Sequence, residues 1–167
     1  QVELRILAHL SKDKNLTLAF KEDKDVHKIT ASLIYGVEEK DVSESMREVA
    51  KRVNFGIIYG LSSYGLSRDL GISLDGASGF IEAYFLRYSK VKEYIEGQIS
   101  QAKKDGFVTT ILGRRRYLPE INNKNQAIRQ FAERQAINTP IQGTAADLIK
   151  LAMVQIHNQI KMRRLKG

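Results

Sequence analysis

Between Arg47 and Tyr59 the chain reads Arg-Glu-Val-Ala-Lys-Arg-Val-Asn-Phe-Gly-Ile-Ile-Tyr, which puts Arg47, Lys51, Phe55 and Tyr59 at every fourth position. Side chains four apart lie one above another on a helix, so this spacing predicts a single stripe of two cations followed by two rings. At about 100° per residue the apolar set Met46, Val49, Ala50, Val53 and Ile57 falls on the opposite side, which leaves the rings off the face that packing would bury. Large aromatics turned away from a core call for a partner. A nucleoside triphosphate has the matching order, with phosphates for Arg47 and Lys51 and a flat base for Phe55 or Tyr59. A helix buried on two sides, with the rings in a second apolar layer and the cations solvated, fits the same spacing. Ser45 followed by Glu48 has the form of a capping box, and Gly60 stands where the helix should stop. Gly56, inside the run, costs on the order of 1 kcal/mol relative to Ala and predicts a close approach to the backbone.

With 167 residues, 43% of them hydrophobic, the chain can bury a core as one domain or as part of a larger one. The net charge of +8 is clustered, notably at Arg114-Arg115-Arg116 and from Lys161 to Lys166, and favours a polyanionic partner through phosphate neutralisation. The absence of cysteine excludes disulfides and thiolate metal sites. No apolar run approaches the roughly 20 residues of a membrane span, and no signal peptide opens the chain. Because Gln1 already lies in what reads as structure, the chain is expected to be a piece of something longer.

Apolar alternation at Val2, Leu4 and Ile6, then helical spacing at Leu7 and Leu10, predicts a strand end feeding a helix over residues 1–11. Residues 12–25 read as a polar connector anchored by Leu16, Leu18 and Phe20. A short helix is expected from His27 to Tyr35, closed by Gly36, and a charged segment from Glu38 to Ser45 leads into the striped helix. Beyond Gly60 a turn, a brief helix from Leu66 to Leu70 and one long amphipathic helix from Phe80 to Lys104 are predicted. Phe107–Leu112 is β-branched and apolar enough for a strand before a turn at Gly113. Residues 125–160 read as helix interrupted near Pro140, where a donor is lost and the ring clashes one turn back. The fold class is therefore mainly α with a little β (α+β).

A second stripe, Arg134, Asn138 and Gln142, repeats the four-residue spacing with hydrogen-bonding groups. Amides and a guanidinium can donate to the minor-groove acceptors that every Watson–Crick pair presents in nearly the same place. A solvated helix face accounts for the same pattern. Arg129 one turn earlier, and the basic turn at Arg114 and Arg115, are candidate phosphate contacts.

Together these segments resemble the polymerase domain of family A DNA polymerases, the bacterial DNA polymerase I type, across essentially the whole chain. Arg47-xxx-Lys51-xxx-Phe55-Gly-xx-Tyr59-Gly60 is similar to that family's motif B. Gln1 to Ser11 looks like the part of motif A that follows its Asp-Tyr-Ser. Asp25-Val-His-Lys-Ile-Thr-Ala31, Gly113-Arg-Arg-Arg-Tyr-Leu-Pro119 and Asn138-Thr-Pro-Ile-Gln-Gly-Thr-Ala-Ala-Asp147 match further segments in the family's order. The resemblance implies fingers helices plus part of the palm of a right-hand polymerase: partial palm with motif A over residues 1–30, fingers with motif B over 31–120, and a helix returning to the palm over 121–167.

The same resemblance implies roles. Arg47 and Lys51 are the catalytic candidates, contacting the triphosphate together with His27, and Lys51 protonates the leaving pyrophosphate. Gln1, Glu3, Phe55 and Tyr59 complete the nucleotide site. Phe55 packs on sugar and base and discriminates against sugars lacking the 3′-hydroxyl, Tyr59 stacks at the template side, and Glu3 crowds a ribose 2′-hydroxyl. Arg134, Asn138 and Gln142 line the primer–template minor groove, with Arg129, Arg114 and Arg115 on backbone phosphate; a neighbouring family arginine is Ile128 here. The partners implied are primer–template DNA and deoxynucleoside triphosphates, in a monomer of the bacterial cytoplasm or nucleoid or of a phage, serving replication and repair. The cofactor implied is Mg²⁺, on aspartates of motifs A and C that are not in this chain, and Asp147 is structural. The isolated chain is accordingly expected to be inactive. Within the same class, a single-subunit RNA polymerase is the alternative, which Glu3 and Phe55 argue against; a helical DNA-binding module would explain the charge without the rings.

Overall fold

The structure, a computed structural model, describes residues 1–163, so the basic cluster read from Lys161 to Lys166 lies partly outside the described residues. Among the described residues eight helices and one hairpin follow in chain order: α1 (Val2–Ser11), α2 (Lys14–Lys21), α3 (Val26–Tyr35), α4 (Glu44–Ile58), α5 (Ser63–Leu70), α6 (Leu74–Arg87), α7 (Ser89–Asp105), β1 (Phe107–Thr109), β2 (Arg115–Tyr117) and α8 (Gln126–Met162). Short 3₁₀ turns at Glu39–Asp41 and Pro119–Asn122 precede α4 and α8. The mainly α class with a little β holds.

Several local expectations are corrected. No strand opens the chain: Leu4, Leu7, Ala8 and Ser11 bury one face of α1 at helical spacing, while Val2, the first residue of the apparent alternation, is exposed. The connector contains α2, which Asp13 caps by accepting from the Leu16 backbone N–H at 2.9 Å; Leu16 is fully buried and Leu18 exposed. The N-cap of α4 is Ser43, accepting from Met46 N–H at 3.2 Å, so Ser45 lies inside the helix and forms no capping box with Glu48. Helix α5 starts at Ser63, capped by Ser62, inside the stretch expected to be a turn.

The fifth correction concerns the long helix, which is divided at Tyr88 into α6 and α7. The break is stitched by the distant α1–α2 turn. Asn15 Nδ2 donates to the Arg87 carbonyl at 2.8 Å, and the Lys90 backbone N–H donates to Asp13 Oδ2 at 3.2 Å. One aspartate thus caps α2 with one oxygen and α7 with the other, while Tyr84 and Tyr88 fill the core beneath, their rings 4.8 Å apart.

Pro140 does not interrupt α8, which runs through it as one 37-residue helix. The proline is buried between Ile137 and Ile141, and burial of that face offsets the missing donor. The main core gathers Leu4, Leu7, Leu16, Val53, Ile58, Val91 and Ile141 from five helices, each fully buried aliphatic side chain contributing about 1.5–3 kcal/mol relative to exposure. A smaller cluster, Ala102, Val108, Leu118, Ile121, Ala132 and Ala136, fixes the hairpin to α7 and α8. In the hairpin Phe107 faces Tyr117, Val108 faces Arg116 and Thr109 faces Arg115, so much of the basic run is a strand. From Leu148 to the end of α8 every residue is exposed, Leu151, Val154 and Ile156 included.

Candidate functional site

Helix α4 buries Ala50, Val53, Asn54, Ile57 and Ile58, a stripe at i, i+3, i+4, i+7 and i+8 that packs against α3 and the core. The expected opposite face exists but is less separate than the spacing implied. Phe55 is half-buried against the core, and Tyr59 is 39% exposed. Their rings stack at 6.2 Å with 22° between planes, and His27 of α3 extends the row, 6.0 Å from Phe55. Lys51, Phe55 and Tyr59 line one side of an open cleft of about 460 Å³, with Glu48, Arg52, Gly56, Leu61 and Asp69 completing it. That volume is within the range of small-ligand sites. The approach to Gly56 comes from the chain itself, since a Cβ there would stand 3.4 Å from the Leu61 side chain.

Arg47 is the member of the stripe that turns elsewhere. Its Nε donates to Asp25 Oδ2 at 2.8 Å, and Nη1 lies 3.4 Å from Glu44 and 3.6 Å from Glu48. Lys51 Nζ is 3.3 Å from Glu48, so both cations already have carboxylate partners. Burial pushes the Asp25 carboxyl up, but the Arg47 bond and the Lys28 and His27 backbone donors outweigh it and hold the group below the usual carboxylate range. The bond to Asp25 in turn keeps the Arg47 guanidinium firmly charged.

His27 is 7% exposed, and burial pulls its imidazole below the ordinary value; the Asp25 charge opposes this while Arg47 and Lys51 reinforce it. The neutral ring is therefore the favoured form at pH 7. Asn54, wholly buried, contacts His27 Nδ1 through its Nδ2 at 3.1 Å. Sequence reasoning passed over Asn54 and Asp25 as site residues. Their signals were a polar residue within the apolar stripe of α4, and an N-cap aspartate two places before a histidine.

The two stripes meet at the end of α4. Gly60, at φ +66°, ends the helix against α8, where a Cβ would stand 2.9 Å from Ile137 Cδ1 and 3.2 Å from Arg134 Cγ. Tyr59 Oη donates to Glu3 Oε2 at 3.4 Å, and Gln142 is close enough to bias the same hydroxyl. Burial, then the Glu3 charge, raises the Tyr59 phenol above its ordinary value. Asn138 Nδ2 donates to Gln142 Oε1 at 3.0 Å, so the amides of the second stripe share one face of α8 with Arg134. Gln1 is exposed, and its carbonyl accepts from Arg5 N–H at 3.1 Å.

The remaining basic residues are partly committed to the fold. Arg129 Nη1 donates to the Asn123 carbonyl at 2.9 Å. Arg114 donates to Asp147 Oδ1 and to the Gly143 carbonyl, both at 3.0 Å, and Arg115 lies 4.7 Å over the Phe107 ring. The Thr110 hydroxyl and the Arg114 guanidinium hold the Asp147 carboxyl below its usual range. Among the described residues no group of three or more His, Asp or Glu is placed to hold a metal ion, and no helix is long and apolar enough to cross a membrane.

A sequence profile of DNA polymerase family A matches residues 1–167, the whole chain. The chain belongs to DNA polymerase family A. DNA polymerase I of Bacillus caldotenax is 52% identical over 167 residues, covering all of this chain and 19% of that protein. DNA polymerase I of Bacillus subtilis (strain 168) is 51% identical over the same length and share. The POL domain of Pol1 from M. smegmatis, solved in complex with DNA primer-template and dNTP, matches this family A chain with a TM-score of 0.95 at 44% identity, covering 99% of this chain and 29% of that one. The chain thus spans about one fifth of the length of such curated relatives.

Proposed function

We propose that the protein containing this chain carries out template-directed DNA synthesis, adding deoxynucleoside triphosphates to a primer 3′ end. The observation that carries this reading is the cleft on α4, where an ammonium and two stacked rings line one wall beside the stripe of Arg134, Asn138 and Gln142. A triphosphate exchanging with Glu48 and Asp25 for Lys51 and Arg47 would be held at its charged end, with His27 as a third donor. Lys51 in this reading gives a proton to the departing pyrophosphate. Phe55 packs on the sugar and base, Tyr59 covers the template side, and Glu3, bonded to Tyr59, stands where it crowds a 2′-hydroxyl; Gln1 adjoins it.

The amides of Asn138 and Gln142 and the Arg134 guanidinium read minor-groove acceptors, which supports recognition of pair geometry without sequence. Arg129, Arg114 and Arg115 neutralise backbone phosphate with whatever donors their internal bonds leave free. Segments 1–30, 31–120 and 121–167 serve in this reading as partial palm, fingers and the helix returning to the palm. The family implies metal ions, Mg²⁺ in this proposal, to stabilise the attacking and leaving oxygens. The described residues do not fit that task, since Asp147 is paired with Arg114 and no three His, Asp or Glu side chains among them are arranged to hold a metal ion. The isolated chain is accordingly proposed to be inactive, and the intact protein to act as a monomer in the bacterial cytoplasm or nucleoid or in phage replication.

Substitution in the intact polymerase tests the reading. Lys51→Ala should cut nucleotide incorporation strongly and leave duplex affinity nearly unchanged. Loss of duplex affinity with normal nucleotide use would instead mark a DNA-binding module.

A further inference from the structure

Beside the α4 cleft, four polar groups form a buried relay whose direction can be read from its donors. Thr30 Oγ1 donates to the Val26 carbonyl one turn back at 2.9 Å. Having spent its single hydrogen, that oxygen accepts from Asn54 Nδ2 at 3.1 Å. The second hydrogen of the same Nδ2 points to His27 Nδ1, also at 3.1 Å. Turning the Thr30 hydroxyl to Asn54 Oδ1, 3.3 Å away, would exchange a shorter bond for a longer one. Flipping the amide would place Nδ2 3.3 Å from Thr30 Oγ1 in place of 3.1 Å and set Oδ1 against the lone pairs of that hydroxyl, so the present orientation makes the better bond. In this orientation of the amide His27 Nδ1 is the acceptor, which leaves the ring hydrogen for Nε2, a nitrogen with no protein partner among the described residues.

We propose that Asn54 is a positioning residue that locks His27 as the neutral Nε2–H tautomer, so that the imidazole offers an uncharged donor to a phosphate oxygen of the bound nucleotide. The inference rests on the nucleotide-binding reading above. Asn54 and Thr30 are both wholly buried, and only Nδ1 of the ring is tied to them, so the lock fixes the ring's rotation as well as its hydrogen. It also explains why a donor amide is placed where α4 otherwise buries only apolar groups. A proton added to Nδ1 would face an N–H and have no acceptor, so Asn54 opposes a third positive charge beside Arg47 and Lys51. The groups that act on the ring are Asp25 at the start of α3 and Arg47 and Lys51 on α4; Tyr88 adjoins Thr30.

The test uses the polymerase carrying this chain, labelled with ¹⁵N-histidine, with His27 assigned by the signal lost in His27→Gln. The expected spectrum above the titration has an unprotonated Nδ1 and a protonated Nε2; a protonated Nδ1 overturns the proposal. Asn54→Asp, which can only accept, should move the hydrogen to Nδ1 and shift titration to higher pH. It should also raise the KM for dNTP about tenfold, one hydrogen bond's worth, with a smaller effect on kcat and a shifted acidic limb in the pH profile. Thr30→Val removes the acceptor that orients the amide and should give a mixture of tautomers, which keeps the proposal exposed if Asn54→Asp misfolds. Unchanged tautomer, titration and KM in both variants overturn it. A normal Lys51→Ala enzyme would defeat the nucleotide reading alone, because the tautomer spectrum is read without substrate.

Discussion

Asp25 joins two helices through its two oxygens: Oδ2 accepts from Arg47 Nε at 2.8 Å, and Oδ1 accepts from the backbone N–H of His27 at 2.9 Å. A single carboxylate therefore caps α3, orients the α4 guanidinium and sets the field at the imidazole.

Removing both roles should cost more than removing one. Asp25→Ala is expected to destabilise the fold by about 1–2 kcal/mol, because it loses the N-cap and an ion pair that is only part-buried. Asp25→Asn keeps a capping oxygen and should recover about 1 kcal/mol of that loss. Urea unfolding of both variants checks this, and equal losses would count against the cap. The carboxyl sits below its ordinary value in the folded protein, so its stabilisation is complete above about pH 4 and is lost as pH falls through the folded value. The acid limb of the unfolding free energy should be shallower in Asp25→Asn.

His27 has the opposite charge type and a lowered value, so the unfolded chain takes up its proton first. Stability should fall as pH drops below about 6.5, and keep falling until the folded imidazole protonates. His27→Gln removes that slope. Unfolding free energies between pH 8 and pH 5 measure it, and parallel curves for the two proteins would contradict the buried neutral ring.

Two glycines set how closely the elements approach α8. A Cβ on Gly143 would stand 2.5 Å from Thr110 Cγ2, and one on Gly60 would meet Ile137 at 2.9 Å in a left-handed backbone. Each alanine substitution is expected to cost roughly 1–3 kcal/mol. Hydrogen exchange separates them: Gly143→Ala should deprotect the hairpin, and Gly60→Ala the end of α4.

Glu3 and Tyr59 share a hydrogen bond at the mouth of the cleft. In the intact polymerase Glu3→Ala should raise ribonucleotide relative to deoxynucleotide incorporation roughly 10- to 100-fold, the range for one steric or polar contact. Tyr59→Phe breaks the bond but keeps the ring, and should change that ratio less. Competitive incorporation assays compare the two, and an unchanged ratio in Glu3→Ala would remove the residue from sugar selection.

Periodicity alone determined that the chain is mainly helical, that Gly36 and Gly60 end helices, and that α4 carries cations and rings away from its most apolar face. These are local matters, because each turn of helix depends on residues three or four apart. The family was legible for a related reason, since its segments keep their residue types and order in the chain. Tertiary structure decided what spacing cannot carry. Asp13 and Asn15 break one expected helix into α6 and α7 from more than 70 residues away. Burial of Ile137 and Ile141 carries α8 through Pro140. Arg47 leaves its stripe for Asp25, and Asn54 earns its place only because Thr30 and His27 of α3 come to meet it. A hydrogen bond of that kind has a direction and a distance, and both come into being only when two helices have packed.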